Sequence, residues 1–470
     1  MNGFVRQNLL LLAATGTSRA LAIVTFVLMA RYLGPEELGK YVFAITLVGY
    51  FGVLTDLAIN PVAIRAVAQE RAAGVRYYTG MLALRLGAVA LVLIALGVVA
   101  LWLDKPMDVK AVIMIAALGL LVTAITNSNT ALFSAFKRFE YVAFSMILVS
   151  GLNTLAVVWL LMQGYGIVAV ALAQIIGNSA ACIVSCWLLA RHVIRRLELD
   201  LGFCKTLLRQ TLPFTFASVL GVLYNRLDVT ILSFLAGDRA VGWYGSIYLI
   251  VSTLLILLPG TFTAVLYPNL ARIHRTTPAQ IAQVLPLAHK VMLIVGLPIA
   301  LTGVVMAEPI VRLLYGAAFG EAAPLLQILI WILPLGALCG VSMFAAYSMN
   351  QERAVWRIMA ILLAVNVVGN LIVVPHYAAR GAALVAVACQ ILNLALFSRL
   401  MPKPTFDWSA VIRTTIALLG LTLTLLIARE QFLPLALILG TLVYEGSLVL
   451  LRVITRTEWR LLKQGVEAHP

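Results

Sequence analysis

The chain has 470 residues, 62% of them hydrophobic and only 11% charged, with a formal net charge of +15. Soluble domains carry about 25% charged residues and break their apolar runs with polar faces, so this composition excludes a soluble globular protein. The positive charge does not call for nucleic acid, because Lys and Arg flanking apolar segments face anionic lipid headgroups.

Apolar runs follow one another from end to end, each long enough to cross about 30 Å of hydrocarbon as a helix. Lipid cannot satisfy backbone N–H and C=O groups, so the expected fold is an all-α polytopic membrane protein. The opening stretch, MNGFVRQNLLLLAATGTSRALAIVTFVLMARYLG, resembles a signal peptide at first sight. Its apolar part continues past Arg19 to Ala30 without a small-x-small site, so it reads as the first span. The expected spans cover residues 9–30, 41–62, 80–102, 110–134, 142–162, 167–190, 211–235, 243–267, 286–307, 323–348, 355–374, 381–400, 410–428 and 433–452. The fourteen are joined by short connections that leave no room for a sizeable soluble domain. Pro259, Pro298 and Pro334 fall inside spans 8, 9 and 10, where a kink is expected.

Lys and Arg placement sets the orientation. With the N-terminus in the cytoplasm, the inside segments hold 23 of the 34 Lys and Arg, the outside segments 8, and Arg19, Arg85 and Arg226 lie within spans. The bias puts both termini in the cytoplasm, as expected for a protein of the bacterial inner membrane.

The chain also repeats itself. Gly34-x4-Gly39-x-Tyr41 joins the first two spans, and Gly237-x4-Gly242-x-Tyr244 joins the seventh and eighth, 203 residues later. A fainter echo links YGIVAVALAQ (165–174) with RGAALVAVACQ (380–390). The offset spans six helices, an even number, which implies two lobes of the same topology. The expected organisation is an N-lobe over 1–200 (spans 1–6), a C-lobe over 201–402 (spans 7–12), and two extra helices with a cytoplasmic tail over 403–470.

Little here has the character of catalytic chemistry. The five cysteines, Cys182, Cys186, Cys204, Cys339 and Cys389, lie in or beside apolar runs and form no disulfide framework. The five histidines are scattered without metal-ligand spacing. Asn127, Asn129, Asn153, Gln174, Asn178, Asn366, Asn370, Gln390 and Asn393 lie inside spans, where polar contacts between helices are the default.

Ionised groups within the bilayer are the candidates for function, since each costs at least about 2.5–3.5 kcal/mol without water or a partner. Arg19 and Arg226 are near mid-span, Asp56 and Arg85 nearer the cytoplasmic ends, and Asp228 slightly outward of Arg226. Glu445 is near the middle of the last span. Arg226 and Asp228 are about 200° apart on their helix, so each looks to another helix or to water. Arg85 has two readings, a ligand-facing cation or an ion pair with Asp56. Asp56, Asp228 and Glu445 are candidates for structural ion pairs or for H+ or Na+ coupling. Three readings of Glu445 stay open: lining a groove, facing lipid protonated, or pairing with a neighbour.

Two stretches carry a family likeness. ARYLGPEELGKYVFAITLVGYFGVLTDLAINPVAIRAVAQ (30–69) and RLDVTILSFLAGDRAVGWYGSIYLI (226–250) resemble the starts of the two lobes in bacterial polysaccharide-biosynthesis (Wzx-type) flippases. These belong to the multidrug/oligosaccharidyl-lipid/polysaccharide exporter superfamily, with the multidrug extruders and the lipid II flippase. The resemblance implies two six-helix lobes around a cationic central cavity open to each side in turn. It also implies a substrate, an oligosaccharide on undecaprenyl diphosphate moved to the periplasmic leaflet for cell-surface polysaccharide such as the O-antigen of lipopolysaccharide. In that setting Arg19, Arg85 and Arg226 become candidates for gripping the diphosphate, since a guanidinium binds phosphate oxygens in pairs. The implied protein is a transporter without cofactor or metal. A monomer surrounded by membrane lipids is expected, acting either alone or beside a polysaccharide polymerase and a chain-length regulator. A cation-coupled drug extruder of the same superfamily is the first alternative, though it would need an acid-dominated site. A membrane polymerase or ligase is the second, though it would need a large outside loop.

Overall fold

The computed structural model describes residues 3–192, 198–257, 261–277, 281–401, 408–428, 433–451 and 453. Pro259 and the expected cytoplasmic tail beyond residue 453 lie outside these residues. Among the described residues there is no strand, and sixteen α-helices account for nearly all of the chain.

The first compact unit, residues 1–242, begins with α1 (Gly3–Asp56), α2 (Asn60–Gln69), α3 (Gly74–Trp102) and α4 (Met107–Ala135). It continues with α5 (Phe139–Met162), α6 (Ile167–His192) and α7 (Leu201–Leu235), and ends in the first turns of α8 (Asp238–Leu255). The second unit, residues 243–470, holds the rest of α8 with α9 (Thr261–Thr276), α10 (Ile281–Val305), α11 (Ala307–Tyr315) and α12 (Ala323–Leu329). It closes with α13 (Ile332–Ser348), α14 (Glu352–Ser398), α15 (Trp408–Ile427) and α16 (Leu433–Leu450).

Each of the fourteen expected spans falls on helix, and several observed helices depart from one span per helix. Spans 1 and 2 share α1, whose backbone is broken at Gly34 (φ 76°, ψ 176°). The following Pro35 disfavours helical geometry for the residue before it, and the extended conformation with positive φ that results suits only glycine. Gly237, at the matching place in the second repeat, also has positive φ (84°). Spans 11 and 12 share α14, which breaks at Ala378 (φ 47°, ψ −129°). Pro298 lies within α10, while Pro334 sits in the first turn of α13, just past the interruption that separates it from α12.

The helices are sorted by lipid. In α3, Val89, Val92, Leu96 and Ala100 are buried, while Leu91, Ile94, Val98 and Leu101 are exposed on the other side. In water such an apolar outer face would be an aggregation site; in a bilayer it is the lipid contact. Within the first unit, Ile59, Val67, Met81, Phe133, Leu189 and Leu207 form a core joining α2, α3, α4, α6 and α7. α7 packs on α1 and α3, so compactness draws its boundary after Gly242, whereas the sequence repeat begins anew near residue 201. The second unit has one core from α9, α10 and α13, around Leu270, Met292 and Val341. Another joins α15 and α16 to the end of α10, around Leu421, Tyr444 and Met306.

Candidate functional site

The most heavily bonded ionic group in the first unit lies where α1 gives way to α2. Leu57 (φ 53°) and Ala58 (φ 46°) both take the left-handed conformation, unfavourable for residues with a Cβ. Arg85 of α3 closes over the break. Its Nη2 donates to Asp56 Oδ1 at 2.7 Å and to Asn60 Oδ1 at 2.8 Å, and Nη1 donates to Ser128 Oγ at 2.9 Å. Nε and Nη2 also reach the Asp56 carbonyl, at 3.4 and 3.3 Å. The guanidinium therefore caps the last carbonyl of α1 and joins it to the first residue of α2. Asn127 Nδ2 adds a bond to Asp56 Oδ1 at 3.3 Å.

The Arg85 side chain is 0% exposed, whereas that of Asp56 is 39% exposed. In this conformation Arg85 offers no open surface to a ligand, and its geometry is that of the ion pair with Asp56. Removing Asp56 would strand a buried cation, but its own 39% exposure keeps the cost below the ~3–5 kcal/mol of a pair buried on both sides.

The second cluster lies where α7 meets the second half of α1. The Tyr50 hydroxyl donates to the Arg226 carbonyl at 2.8 Å and shares a hydrogen bond with Thr230 Oγ1, also 2.8 Å. Asp228 is buried, and its Oδ1 accepts from the Val229 N–H at 2.8 Å. The Arg226 side chain is exposed. Two residues apart on a helix, the pair thus occupies one inward and one outward position.

Arg19, on the first half of α1, is likewise exposed and makes no hydrogen bond or ion pair given for the described residues. Glu445 belongs to the second unit and is exposed, while its neighbour Tyr444 is buried and donates to the Ile294 carbonyl of α10 at 2.8 Å. Of the six charged candidates, the structure joins Arg85 directly to Asp56 and sets Arg226 and Asp228 together beside Tyr50.

Several intramembrane amides make helix contacts. Asn129 accepts from the Tyr78 hydroxyl and donates to Ser185 Oγ, and Asn153 donates to Asn178. Within α14, Asn370 bonds Asn366, and Asn393 bonds Gln390. The five cysteines are free thiols. Among the described residues, no group of three or more His, Cys, Asp or Glu could hold a metal ion.

Sequence reasoning missed Tyr50, Asn60 and Ser128, because nothing in a linear pattern says which hydroxyl or amide meets an arginine from another helix. It also read Lys105 only as an outside-loop cation. The structure buries Lys105 against α7 and α8, with its Nζ 2.6 Å from Asp238 Oδ1.

Comparison with known proteins places this geometry. No curated protein sequence matches the chain. Its fold is similar to that of the lipid II flippase MurJ in an inward closed conformation, with a TM-score of 0.79 at 15% identity, over 94% of this chain and 99% of that one. It is also similar to an inward-facing multidrug resistance transporter of the MATE family in the MOP superfamily, with a TM-score of 0.67 at 15% identity, over 81% and 94% of the two chains. A MOP superfamily transporter from Pyrococcus furiosus gives 0.52 at 16% identity, over 84% and 92%. At such identities these likenesses establish the fold. The family model described as polysaccharide biosynthesis protein matches residues 4–274, more than half of the sequence, and the chain belongs to that family.

Proposed function

We propose that this protein flips an undecaprenyl-diphosphate-linked oligosaccharide from the cytoplasmic to the periplasmic leaflet of the bacterial inner membrane. Family membership supports polysaccharide biosynthesis as the setting, and the fold shared with a lipid II flippase over 94% of the chain supports transport of a lipid-linked cargo. The observation that carries the reading is the pair of exposed arginines, Arg19 and Arg226, placed within membrane-spanning helices. A guanidinium exposed at that depth is open to a passing anion, and a diphosphate moving with its lipid would supply one.

In this account the headgroup enters a cationic central cavity from the cytoplasm, the polyprenyl tail stays in lipid, and alternating access delivers the sugar to the periplasm. Arg19 and Arg226 grip the diphosphate. Arg85 acts from behind, holding Asp56 at the break between α1 and α2. Asp228 and Glu445 are candidates for H+ or Na+ coupling. A polymerase and a chain-length regulator would act on the delivered repeat unit. A drug extruder of the same fold would rely on an acid-dominated site, whereas Asp56 is engaged by Arg85.

The test compares Arg226→Ala with Arg226→Lys in cells, reading cytoplasm-facing lipid-linked sugar. The alanine variant is expected to accumulate it and the lysine variant to accumulate less. Export unchanged in the alanine variant removes Arg226 from the mechanism.

A further inference from the structure

The repeated turn is a docking element. Gly39, the second glycine of the first Gly-x4-Gly-x-Tyr motif, lies so close to Asp238 that a Cβ there would overlap the Asp238 carbonyl. Gly242, its counterpart 203 residues on, lies against Pro35, and a Cβ there would overlap the Pro35 carbonyl. Asp238 and Pro35 are themselves counterparts at the same offset. The contact is therefore reciprocal: each turn presses its glycine onto the other's first helical residue, as in an isologous pairing. Only a missing side chain allows backbones this near, which gives both glycines a reason beyond turn geometry.

The loop between α3 and α4 clasps both turns. Lys105 Nζ donates to Asp238 Oδ1 at 2.6 Å, to Ser233 Oγ at 2.9 Å and to the Ser233 carbonyl at 3.3 Å. Ser233 Oγ donates in turn to Asp238 Oδ1 at 2.7 Å. The ammonium also lies 5.0 Å from the Phe43 ring and 5.8 Å from the Phe234 ring, which pack edge to face. Three residues further on, Asp108 takes Lys40 of the first turn at 3.2 Å, while Glu37 holds the same ammonium at 2.6 Å. The loop thus supplies a cation to the second turn, and the start of α4 just beyond it supplies an anion to the first. The Lys105 and Asp238 side chains are 9% and 13% exposed, so water screens their attraction little.

We propose that the two turns and the α3–α4 loop form a latch on the side that the charge bias assigns to the periplasm. The latch is closed in this structure and must part for cargo to leave. The proposal rests on the transport reading above, but it specifies the moving parts rather than the cargo. The two glycine contacts and the buried Lys105–Asp238 pair all bridge to the second turn, so they are lost together once the turns separate, which suits a two-state element.

The test is pulsed dipolar spectroscopy on the full chain in lipid nanodiscs, without cargo. Spin labels go at Glu36→Cys and Arg239→Cys, two exposed counterpart positions on the turns, with the five native cysteines replaced. The reference protein is expected to show a dominant short distance. Lys105→Gln and Asp238→Asn, made separately, are each expected to raise the ratio of parted to docked turns by about tenfold. Lys105→Arg is expected to keep most of the short component, and Gly39→Ala to lose it. Any variant that does not elute as a monodisperse peak is judged from the remaining ones. A single unchanged distance in both charge variants, or a dominant long distance in the reference, overturns the latch. The readout involves no lipid-linked sugar, so a failure of the cargo assignment leaves it standing, and its own failure leaves the cargo assignment standing.

Discussion

Arg85 shows how one side chain can decide the shape of a span. Two left-handed residues in succession, neither of them glycine, are a local cost of about 1–3 kcal/mol each. They persist because a buried guanidinium collects the Asp56 carboxylate, the Asp56 carbonyl, the Asn60 amide oxygen and the Ser128 hydroxyl around itself. Asp56→Ala should therefore lower unfolding stability by about 1–3 kcal/mol, since the buried cation loses a charged partner that is itself partly exposed. A double variant, Arg85→Met with Asp56→Met, should recover much of that loss. Chemical unfolding of the purified protein in detergent checks both, and additive losses in the double variant would contradict the pairing. The sequence suggested Arg85 and Asp56 as one of two readings because both charges lie at similar depth. It could not suggest the broken helix, because a left-handed Leu-Ala pair is imposed by contacts from α3 and α4 and leaves no local mark.

The elements divide by whether their ends are written locally or imposed from afar. Hydrocarbon thickness fixes span length, so the helical stretches could be read from apolar runs, although spans 8 and 10 each divide between two helices, α8 with α9 and α12 with α13. The break at Gly34 was visible as Gly-Pro, and its counterpart at Gly237 as the repeated motif. The break at Ala378 falls in the connection expected between spans 11 and 12, just after Pro375; only the residue that carries it was unmarked, because alanine has no turn signal. Gly34→Ala should cost about 1–2 kcal/mol, as it forces a Cβ into a conformation it resists. Ala378→Gly should instead be neutral or stabilising by up to about 1 kcal/mol, since the strained residue gains freedom it already uses. Thermal midpoints of the two variants distinguish these signs, and equal losses would contradict the assignment of strain. Lys105 belongs with the illegible features. Its partners lie more than a hundred residues away, and a loop lysine in sequence looks the same whether it meets water or a buried aspartate.

For the whole molecule, composition alone established a polytopic helical membrane protein, and the repeat suggested two lobes of one topology. The family then supplied polysaccharide biosynthesis as the setting. Charge inside the membrane links these levels. Arg85 is absorbed in structure, Asp228 is buried, and Arg19 and Arg226 stay exposed within spans. The most direct test places the purified full chain in vesicles with a polyprenyl-diphosphate-linked oligosaccharide. A membrane-impermeant sugar-modifying reagent reports which leaflet the glycan occupies. The account predicts that wild-type protein makes inner-leaflet glycan accessible, and that Arg226→Ala slows this about tenfold, the value of one lost charge-assisted contact. Movement no faster than in protein-free vesicles, or equal rates for wild type and Arg226→Ala, would contradict it.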